Sequence, residues 1–244
     1  MKQCEAVIKV MEENGGYATL GFLNQHVFRI EECKWGTKTP FASIRRIVQD
    51  PRFFFKIRPG LWALNSHRDR LPAGIFPAKD LPPAERAEYD HTYYQGLLVE
   101  LGNFRKFATF VPNQDKNKLY LGRRLSAVKT IDSIYPFGFD RLVRVAQTID
   151  VAWFNKRNMP ANLLEVEHST AMSGSLMKFV ELQDFNTNFY IVADELRRKE
   201  FHAKLAMEAF RAVSARVDFW TYEEVAELHS KTAELVAVES KLGL

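Results

Sequence analysis

Cysteine is scarce in this chain of 244 residues, which contains only Cys4 and Cys33. Two cysteines cannot build a disulfide framework and have no zinc-site spacing, so we expect two reduced thiols. No apolar run approaches the roughly 20 residues that span a bilayer, and the first residues lack the apolar core of a signal peptide. These absences argue against a disulfide-stapled scaffold and a membrane-spanning protein. We therefore expect a soluble, cytoplasmic protein.

A strong excess of one charge is also lacking, since the formal net charge is +4. The basic residues are nevertheless concentrated: residues 1–70 hold 12 Lys/Arg against 7 Asp/Glu, and residues 101–160 hold 11 against 4. Either segment could face a polyanion such as DNA, and the alternative is ordinary surface charge. The 46% hydrophobic content predicts a globular protein with one large domain or two modest ones.

Prolines are concentrated in LPAGIFPAKDLPPAE, which contains Pro72, Pro77, Pro82 and Pro83. Proline favours extended backbone and restricts the residue before it, so this segment predicts a connection between two folded units. We predict an N-terminal domain over 1–66, a linker over 67–88 and a C-terminal domain over 89–244.

The N-terminal segment predicts three helices followed by a hairpin. Apolar spacing indicates helices over 5–13 and 20–27, and Thr39 and Pro40 are suited to begin a third helix, PFASIRRIVQD. The hairpin is FFFKI, the turn RPG and LWALN. This order is typical of a winged helix-turn-helix, which binds DNA in many proteins.

The segment TPFASIRRIVQDPRFFFKIRPGLWALN resembles the HARE-type helix-turn-helix over about a quarter of the chain. The analogy with winged-helix modules implies one set of contacts to the DNA major groove and another to phosphate or the minor groove. The groove residues are Ser43, Arg45, Arg46 and Gln49, and the wing residues are Lys56 and Arg58. The alternative is a module that docks on the second domain or on a protein partner.

Acidic residues interrupt two neighbouring apolar runs, TIDVAWF and NLLEVEHST, which are joined by NKRNMP. Side chains alternate faces on a strand, so Glu165 and Glu167 point the same way. If the runs pair as a hairpin, Asp150 joins that pair. Three carboxylates call for a cation, and hard oxygen ligands suit Mg²⁺, with Mn²⁺ as a substitute. The alternative is the solvent face of a sheet.

Helices alternate with strands after the linker, which predicts an α/β (α+β) domain with a mixed sheet covered by helices. The order of a helix with Glu, a strand with Asp, an E-x-E strand and a helix resembles the PD-(D/E)XK nuclease superfamily, in its restriction-endonuclease-like branch. The resemblance implies that Asp150 is the metal-binding Asp, Glu165 the acid of the third strand and Glu100 the supporting helix glutamate. These residues and Glu167 are the predicted catalytic set.

The departure from the PD-(D/E)XK pattern is Glu167, which occupies the position usually held by lysine. The substitutes that the sequence offers nearby are Lys156, Lys178 and His168. Arg123 and Arg124, in a basic stretch ahead of the Asp strand, could track the DNA backbone, and the alternative is solvated surface.

The carboxylates, together with what the two resemblances imply, predict a Mg²⁺-dependent endonuclease of restriction type that cuts double-stranded DNA. Cutting both strands normally requires two active sites, so we expect a homodimer, with the C-terminal helix over 223–239 as one possible interface. Two other hypotheses stay open. One is a catalytically inactive, nuclease-like DNA-binding regulator, and the other is a winged helix that docks a protein partner on an RNA-processing nuclease.

Overall fold

A computed structural model describes residues 1–76, 82–168 and 171–243. The chain divides into two compact units: the first unit is Met1–Asp80 together with Ala226–Leu244, and the second unit is Leu81–Val225. The division into 1–66, 67–88 and 89–244 stays a prediction, and residues 77–81 of the predicted linker lie outside the described residues. The C-terminal segment, which the sequence placed with the second domain, groups with the N-terminal residues.

The first unit contains the three predicted helices and the hairpin. Its elements are α1 (Gln3–Glu13), β1 (Tyr17–Thr19), α2 (Leu20–His26), α3 (Pro40–Ile47), β2 (Phe54–Arg58) and β3 (Leu61–Leu64). The short strand β1 was not predicted, and it pairs with β3 in an antiparallel sheet with the order β1-β3-β2. Ile44 of α3 and the following Val48 are fully buried, as the apolar spacing of this helix predicts.

The C-terminal helix α8 (Tyr222–Leu242) contributes its residues from Ala226 onward to the first unit. It packs closely on α2 at Gly21, where an added Cβ would lie 2.6 Å from the His229 ring. Asn24 of α2 donates to the Ser230 carbonyl at 3.3 Å. Part of the helix predicted as a dimer interface is therefore buried within the chain itself.

The second unit is built on a five-stranded sheet. Its elements are α4 (Pro83–Phe104), β4 (Ala108–Phe110), β5 (Leu119–Tyr120), β6 (Arg123–Arg124), α5 (Asp140–Ala146), β7 (Val151–Phe154), β8 (Pro160–Glu167), α6 (Met172–Glu181), β9 (Asn188–Ala193), α7 (Arg198–Leu205) and β10 (Val217–Thr221). The sheet order is β10-β9-β8-β7-β4, parallel from β10 to β8 and antiparallel from β8 to β4. The predicted mixed α/β fold class is confirmed.

Buried side chains alternate between the two faces of this sheet along its strands, so helices cover both faces. Phe154 and Leu163 share a core with Leu176 and Phe179 of α6. Trp153 points to the other face, where its indole N–H donates to the Leu98 carbonyl of α4 at 3.1 Å. Within the described residues, no helix is both long and apolar enough to cross a bilayer.

Two predicted helices have the wrong limits. The segment YDHTYYQGLLVELG predicts a helix from about His91 to Leu101 that ends near Gly102, but α4 continues through Gly102 to Phe104. An added Cβ at Gly102 would lie 2.7 Å from Trp153 Nε1, so only glycine allows this packing. The segment ELRRKEFHAKLAMEAFRAV predicts one long helix over 195–213, but it is α-helical only over Arg198–Leu205. Phe201 and Phe210 are nine residues apart, so a continuous helix would place them on opposite faces, yet both are buried in one core.

Candidate active site

The predicted carboxylate hairpin is present at one end of the sheet. Strands β7 and β8 pair antiparallel, with Val151 opposite Leu164, and Asp150 immediately precedes β7. The backbone N–H of Val166 donates to Asp150 Oδ2 at 2.8 Å. The hairpin therefore fixes Asp150 beside the strand that carries Glu165 and Glu167.

Glu165 and Glu167 share a face of β8, as their spacing predicts. Ser175 Oγ of α6 lies 3.0 Å from Glu165 Oε2 and also hydrogen-bonds Glu167 Oε1. A hydroxyl has one proton, so Ser175 donates to one carboxylate at a time. The two glutamates are 3% and 4% exposed. The alternative of a solvated sheet face is therefore wrong for this pair.

A lysine from α6 lies against the buried carboxylates. Lys178 Nζ is 2.8 Å from Glu165 Oε1, 3.1 Å from Glu165 Oε2 and 3.0 Å from the Thr148 carbonyl. Burial raises the pKa of Glu165, and the negative charge of Asp150 raises it further, whereas Lys178 and Ser175 lower it. The ammonium thus offsets charge that burial makes costly.

Of the three lysine substitutes considered from sequence, the structure brings Lys178 to the carboxylates. Lys156 is exposed in the connection between β7 and β8. His168 follows Glu167, and its Nδ1 lies 3.2 Å from the Tyr222 hydroxyl. On a regular strand the residue after Glu167 faces away from the Glu167 carboxylate, and the partner that the structure gives His168 is the Tyr222 hydroxyl.

The carboxylates and Lys178 line a cavity of about 490 Å³, here called the carboxylate cavity. Its opposite wall comes from α4 and the loop before β5. Asp115 in that loop is buried and pairs with Lys118 Nζ at 2.9 Å, and Lys118 also lies 3.4 Å from Glu88 of α4. No local sequence pattern links Asp115, Lys118 or Glu88 to the hairpin, so these residues are not predictable from the sequence.

Helix α4 contacts Asp150 through two side chains one helical turn apart. His91 Nε2 lies 3.2 Å from Asp150 Oδ2, and Gln95 Nε2 donates to the Asp150 carbonyl at 2.8 Å and to Asp115 Oδ2 at 3.1 Å. Burial lowers the pKa of His91, but its hydrogen bond with Asp150 and the charges of Asp150 and Asp115 outweigh burial and raise it overall. The i, i+4 spacing of the two residues was the available sequence signal.

Glu100, the predicted helix glutamate, is not among the residues that line the carboxylate cavity. Its carboxylate accepts from the Tyr120 hydroxyl at 2.8 Å and from Arg123 at 2.6 Å. Arg123 and Arg124 are both exposed, and Arg123 is paired with Glu100. The structure brings three of the four predicted catalytic residues together, and a catalytic role for Glu100 stays a prediction without support from this geometry.

The donor chemistry of the carboxylate cavity fits a hard divalent cation, because Asp150, Glu165 and Glu167 supply carboxylate oxygens. Across 1–76, 82–168 and 171–243, however, no group of three or more His, Cys, Asp or Glu side chains is arranged to hold a metal ion. The Lys178 ammonium instead contacts both oxygens of Glu165. Metal ligation by the three carboxylates stays a prediction.

The predicted DNA-contact residues of the first unit differ in exposure. Arg46 and Gln49 of the α3 region and Lys56 of β2 are exposed, whereas Arg45 and Ser43 are half-buried. The Ser43 hydroxyl donates to the Thr39 carbonyl at 3.3 Å.

Arg58 of β2 does not lie on the exposed surface, since the residue is only 8% exposed. Its guanidinium donates to the carbonyls of Ile75 at 3.3 Å and Gly74 at 3.5 Å. The pairing of β2 with β3 is irregular between Lys56 and Arg58. This irregularity breaks the alternation that would have placed both side chains on one face.

Comparison with known proteins gives the family of most of the chain. The model of the type II restriction enzyme NmeDI C-terminal domain matches residues 77–242. The chain belongs to this family. Every residue of the carboxylate cavity lies inside the match, whereas α1, α2, α3 and the hairpin β2–β3 lie outside it.

A curated relative gives a second similarity. The chain is 28% identical over 165 residues to the type II restriction enzyme NmeDI of Neisseria meningitidis serogroup C. The similarity covers 61% of this chain and 46% of the relative, so the chain spans about half the length of that enzyme. No solved structure matches the chain. The restriction-enzyme part of the predicted resemblance is confirmed at family level, and the PD-(D/E)XK and HARE assignments stay predictions.

Proposed function

We propose that the chain is a metal-dependent endonuclease of restriction type that hydrolyses phosphodiester bonds of double-stranded DNA. The observation that carries the proposal is the carboxylate cavity, in which Asp150, Glu165, Glu167 and Lys178 meet inside a restriction-enzyme family domain. Buried carboxylates beside an ammonium are costly to maintain, and such clusters concentrate at functional sites.

Asp150, Glu165 and Glu167 would hold Mg²⁺, or Mn²⁺ in its place, through carboxylate oxygens. Such an ion supplies an acidified water and a countercharge for the phosphate oxygens. Because the two glutamates are nearly buried, water screens their charges poorly, which strengthens their interaction with a bound cation.

Lys178 takes the place of the motif lysine in this proposal. Its ammonium, directed at Glu165 from α6, lies on the same cavity as the carboxylates and can stabilise negative charge that develops on phosphate. Glu167 then serves as a further carboxylate at the position where the PD-(D/E)XK pattern has lysine. This distribution of charges supports the PD-(D/E)XK assignment with a displaced lysine.

The first unit would contribute DNA recognition as a HARE-type winged helix-turn-helix. The order of three helices and a hairpin supports this interpretation, as do the exposed side chains of Arg46, Gln49 and Lys56. Exposed basic side chains on α3 and β2 suit contacts to phosphate and base edges. Arg58 is excluded from the proposed contact set because its guanidinium is held inside the unit.

Cutting both strands calls for two cavities, so the proposal includes a homodimer. On α8, Leu235, Val238 and Leu242 are exposed at 55%, 39% and 71% and recur at helical spacing. These residues, beyond the part of α8 that is buried in the first unit, are the proposed dimer contact.

The test incubates purified protein with a sequenced library of modified and unmodified double-stranded DNA, with Mg²⁺, with Mn²⁺ and with EDTA. We expect double-strand ends at a defined sequence only when a divalent ion is present. If no substrate gave metal-dependent ends, although a cooperative unfolding transition showed that the protein was folded, the proposal of an endonuclease would be rejected.

The second candidate is an inactive DNA-binding regulator, favoured by the Lys178 contact to both oxygens of Glu165. It predicts tight DNA binding without scission in any divalent ion. The variant Glu165→Ala separates the two candidates. It abolishes cutting and spares DNA binding if the chain is a nuclease, and it changes neither property if the chain only binds.

A further inference from the structure

Asp150 receives hydrogen bonds from two directions on a single oxygen. Val166 N–H donates to Oδ2 from the strand at 2.8 Å, and His91 Nε2 lies 3.2 Å from the same atom on the side of α4. Asp150 Oδ1 has no hydrogen bond among the described residues. The carboxylate is thus fixed through one oxygen and leaves the other for a ligand.

The ring of His91 is oriented by this contact. Its Nδ1 is buried and has no hydrogen-bond partner in the described part of the chain, so Asp150 is the only polar partner of the ring there. One turn later, Gln95 holds the backbone carbonyl of Asp150. Helix α4 therefore anchors both the main chain and the side chain of Asp150.

We propose that His91 is a positioning residue that acts through Asp150, by holding Oδ2 so that Oδ1 is oriented to bind the divalent cation. The inference rests on the proposed metal-dependent function. It gives His91 the supporting role on α4 that the sequence assigned to Glu100. Groups that hydrogen-bond a metal-ligating side chain typically contribute 10- to 100-fold in metal affinity or activity.

The test measures Mn²⁺ binding to the full chain by calorimetry without DNA, and cutting of DNA in parallel. His91→Leu removes the N–H at similar volume, whereas His91→Gln keeps an amide N–H at comparable reach. We expect His91→Leu to weaken Mn²⁺ binding at least about 10-fold and His91→Gln to recover most of that loss. The control His202→Leu changes an exposed histidine of α7 and leaves the affinity unchanged.

The positioning role is overturned if His91→Leu binds Mn²⁺ as wild type does, or if His91→Gln binds no better than His91→Leu while both unfold at the wild-type midpoint. If the wild-type chain bound Mn²⁺ but cut no DNA, only the proposed nuclease activity would be rejected. The Mn²⁺ affinities of wild type, His91→Leu and His91→Gln would still decide the role of His91. A wild-type chain that binds no Mn²⁺ would overturn both proposals.

Discussion

The two units of the chain hold their charged side chains in opposite ways. In the second unit, Glu165 and Glu167 are almost completely buried, and Glu165 accepts a hydrogen bond from Lys178 and Glu167 one from Ser175. In the first unit, Arg46 and Lys56 are exposed. A buried charge is costly unless its partners are in place, so the arrangement around it is specific. An exposed basic side chain costs little, so its presence alone says little about function.

The family match also distinguishes the buried carboxylates from the exposed basic residues. The match covers 77–242, which contains the whole carboxylate cavity and none of α3 or β2. The proposal for catalysis thus draws on both buried geometry and family membership. The proposal for DNA recognition draws on element order and exposed charge. Variants in each region test whether catalysis and DNA recognition are separated in this way.

The largest expected effect comes from Lys178→Met in the carboxylate cavity. The change keeps the aliphatic stem and removes the ammonium from Glu165, so stabilisation of phosphate charge is lost. We expect the single-turnover cutting rate at saturating Mg²⁺ to fall about 10²- to 10³-fold, with the affinity for DNA nearly unchanged. Lys156→Met, at the exposed lysine between β7 and β8, is the control and should cut as wild type does.

Cutting by Lys178→Met at the wild-type rate would remove Lys178 from the mechanism. A loss of cutting in Lys156→Met instead would identify that residue as the substitute for the motif lysine. Thermal unfolding of each variant separates loss of chemistry from loss of fold.

The second expected effect concerns Arg58, the buried exception in the first unit. Arg58→Met leaves the carbonyls of Gly74 and Ile75 without this donor, so we expect the free energy of unfolding of the unit to fall by about 1.5–3 kcal/mol. Arg52→Met, at an exposed arginine paired with Asp50, should leave the free energy of unfolding nearly unchanged, because solvent screens that pair. Urea unfolding gives both values.

If Arg58→Met weakens DNA binding of the folded protein and leaves the urea midpoint unchanged, then Arg58 reaches DNA despite its burial. That result would assign it to the wing contact that the sequence predicts. Binding is therefore measured without urea, at a temperature at which both variants are folded.

Local patterns were sufficient for the hairpin and for the shared face of Glu165 and Glu167, because strand alternation is set by the backbone itself. They failed at Arg58, where an irregular register ends the alternation. No local pattern could show Lys178 on Glu165, since that contact depends on how α6 packs across the sheet.

The position of Glu100 outside the lining of the carboxylate cavity has a simple geometric cause. The sequence began this helix near residue 91, but α4 begins at Pro83, and its early residues His91 and Glu88 line the cavity. Glu100 follows His91 by nine residues, which is roughly 13 Å farther along a helix axis. A correct helix start would have directed attention to His91.

The smallest expected effect is that of Arg46→Ala on α3. Arg46 is exposed and has no ion pair in the described part of the chain, so its loss removes a contact to DNA and leaves the fold intact. We expect the Kd for double-stranded DNA to rise about 3- to 10-fold, and the slope of log Kd against log salt to fall by about 1 if the contact is to phosphate. The cutting rate at saturating DNA stays unchanged, because the carboxylate cavity lies in the other unit.

Arg29→Ala is the matched control, since Arg29 is also an exposed arginine of the first unit without an ion pair among the described residues. A general effect of positive charge would weaken binding equally in both variants and would leave α3 with no special role. A loss confined to Arg46→Ala would place α3 at the DNA. If the loss came with an unchanged salt slope and a relaxed sequence preference, the contact would be to a base edge, and α3 would be the recognition helix.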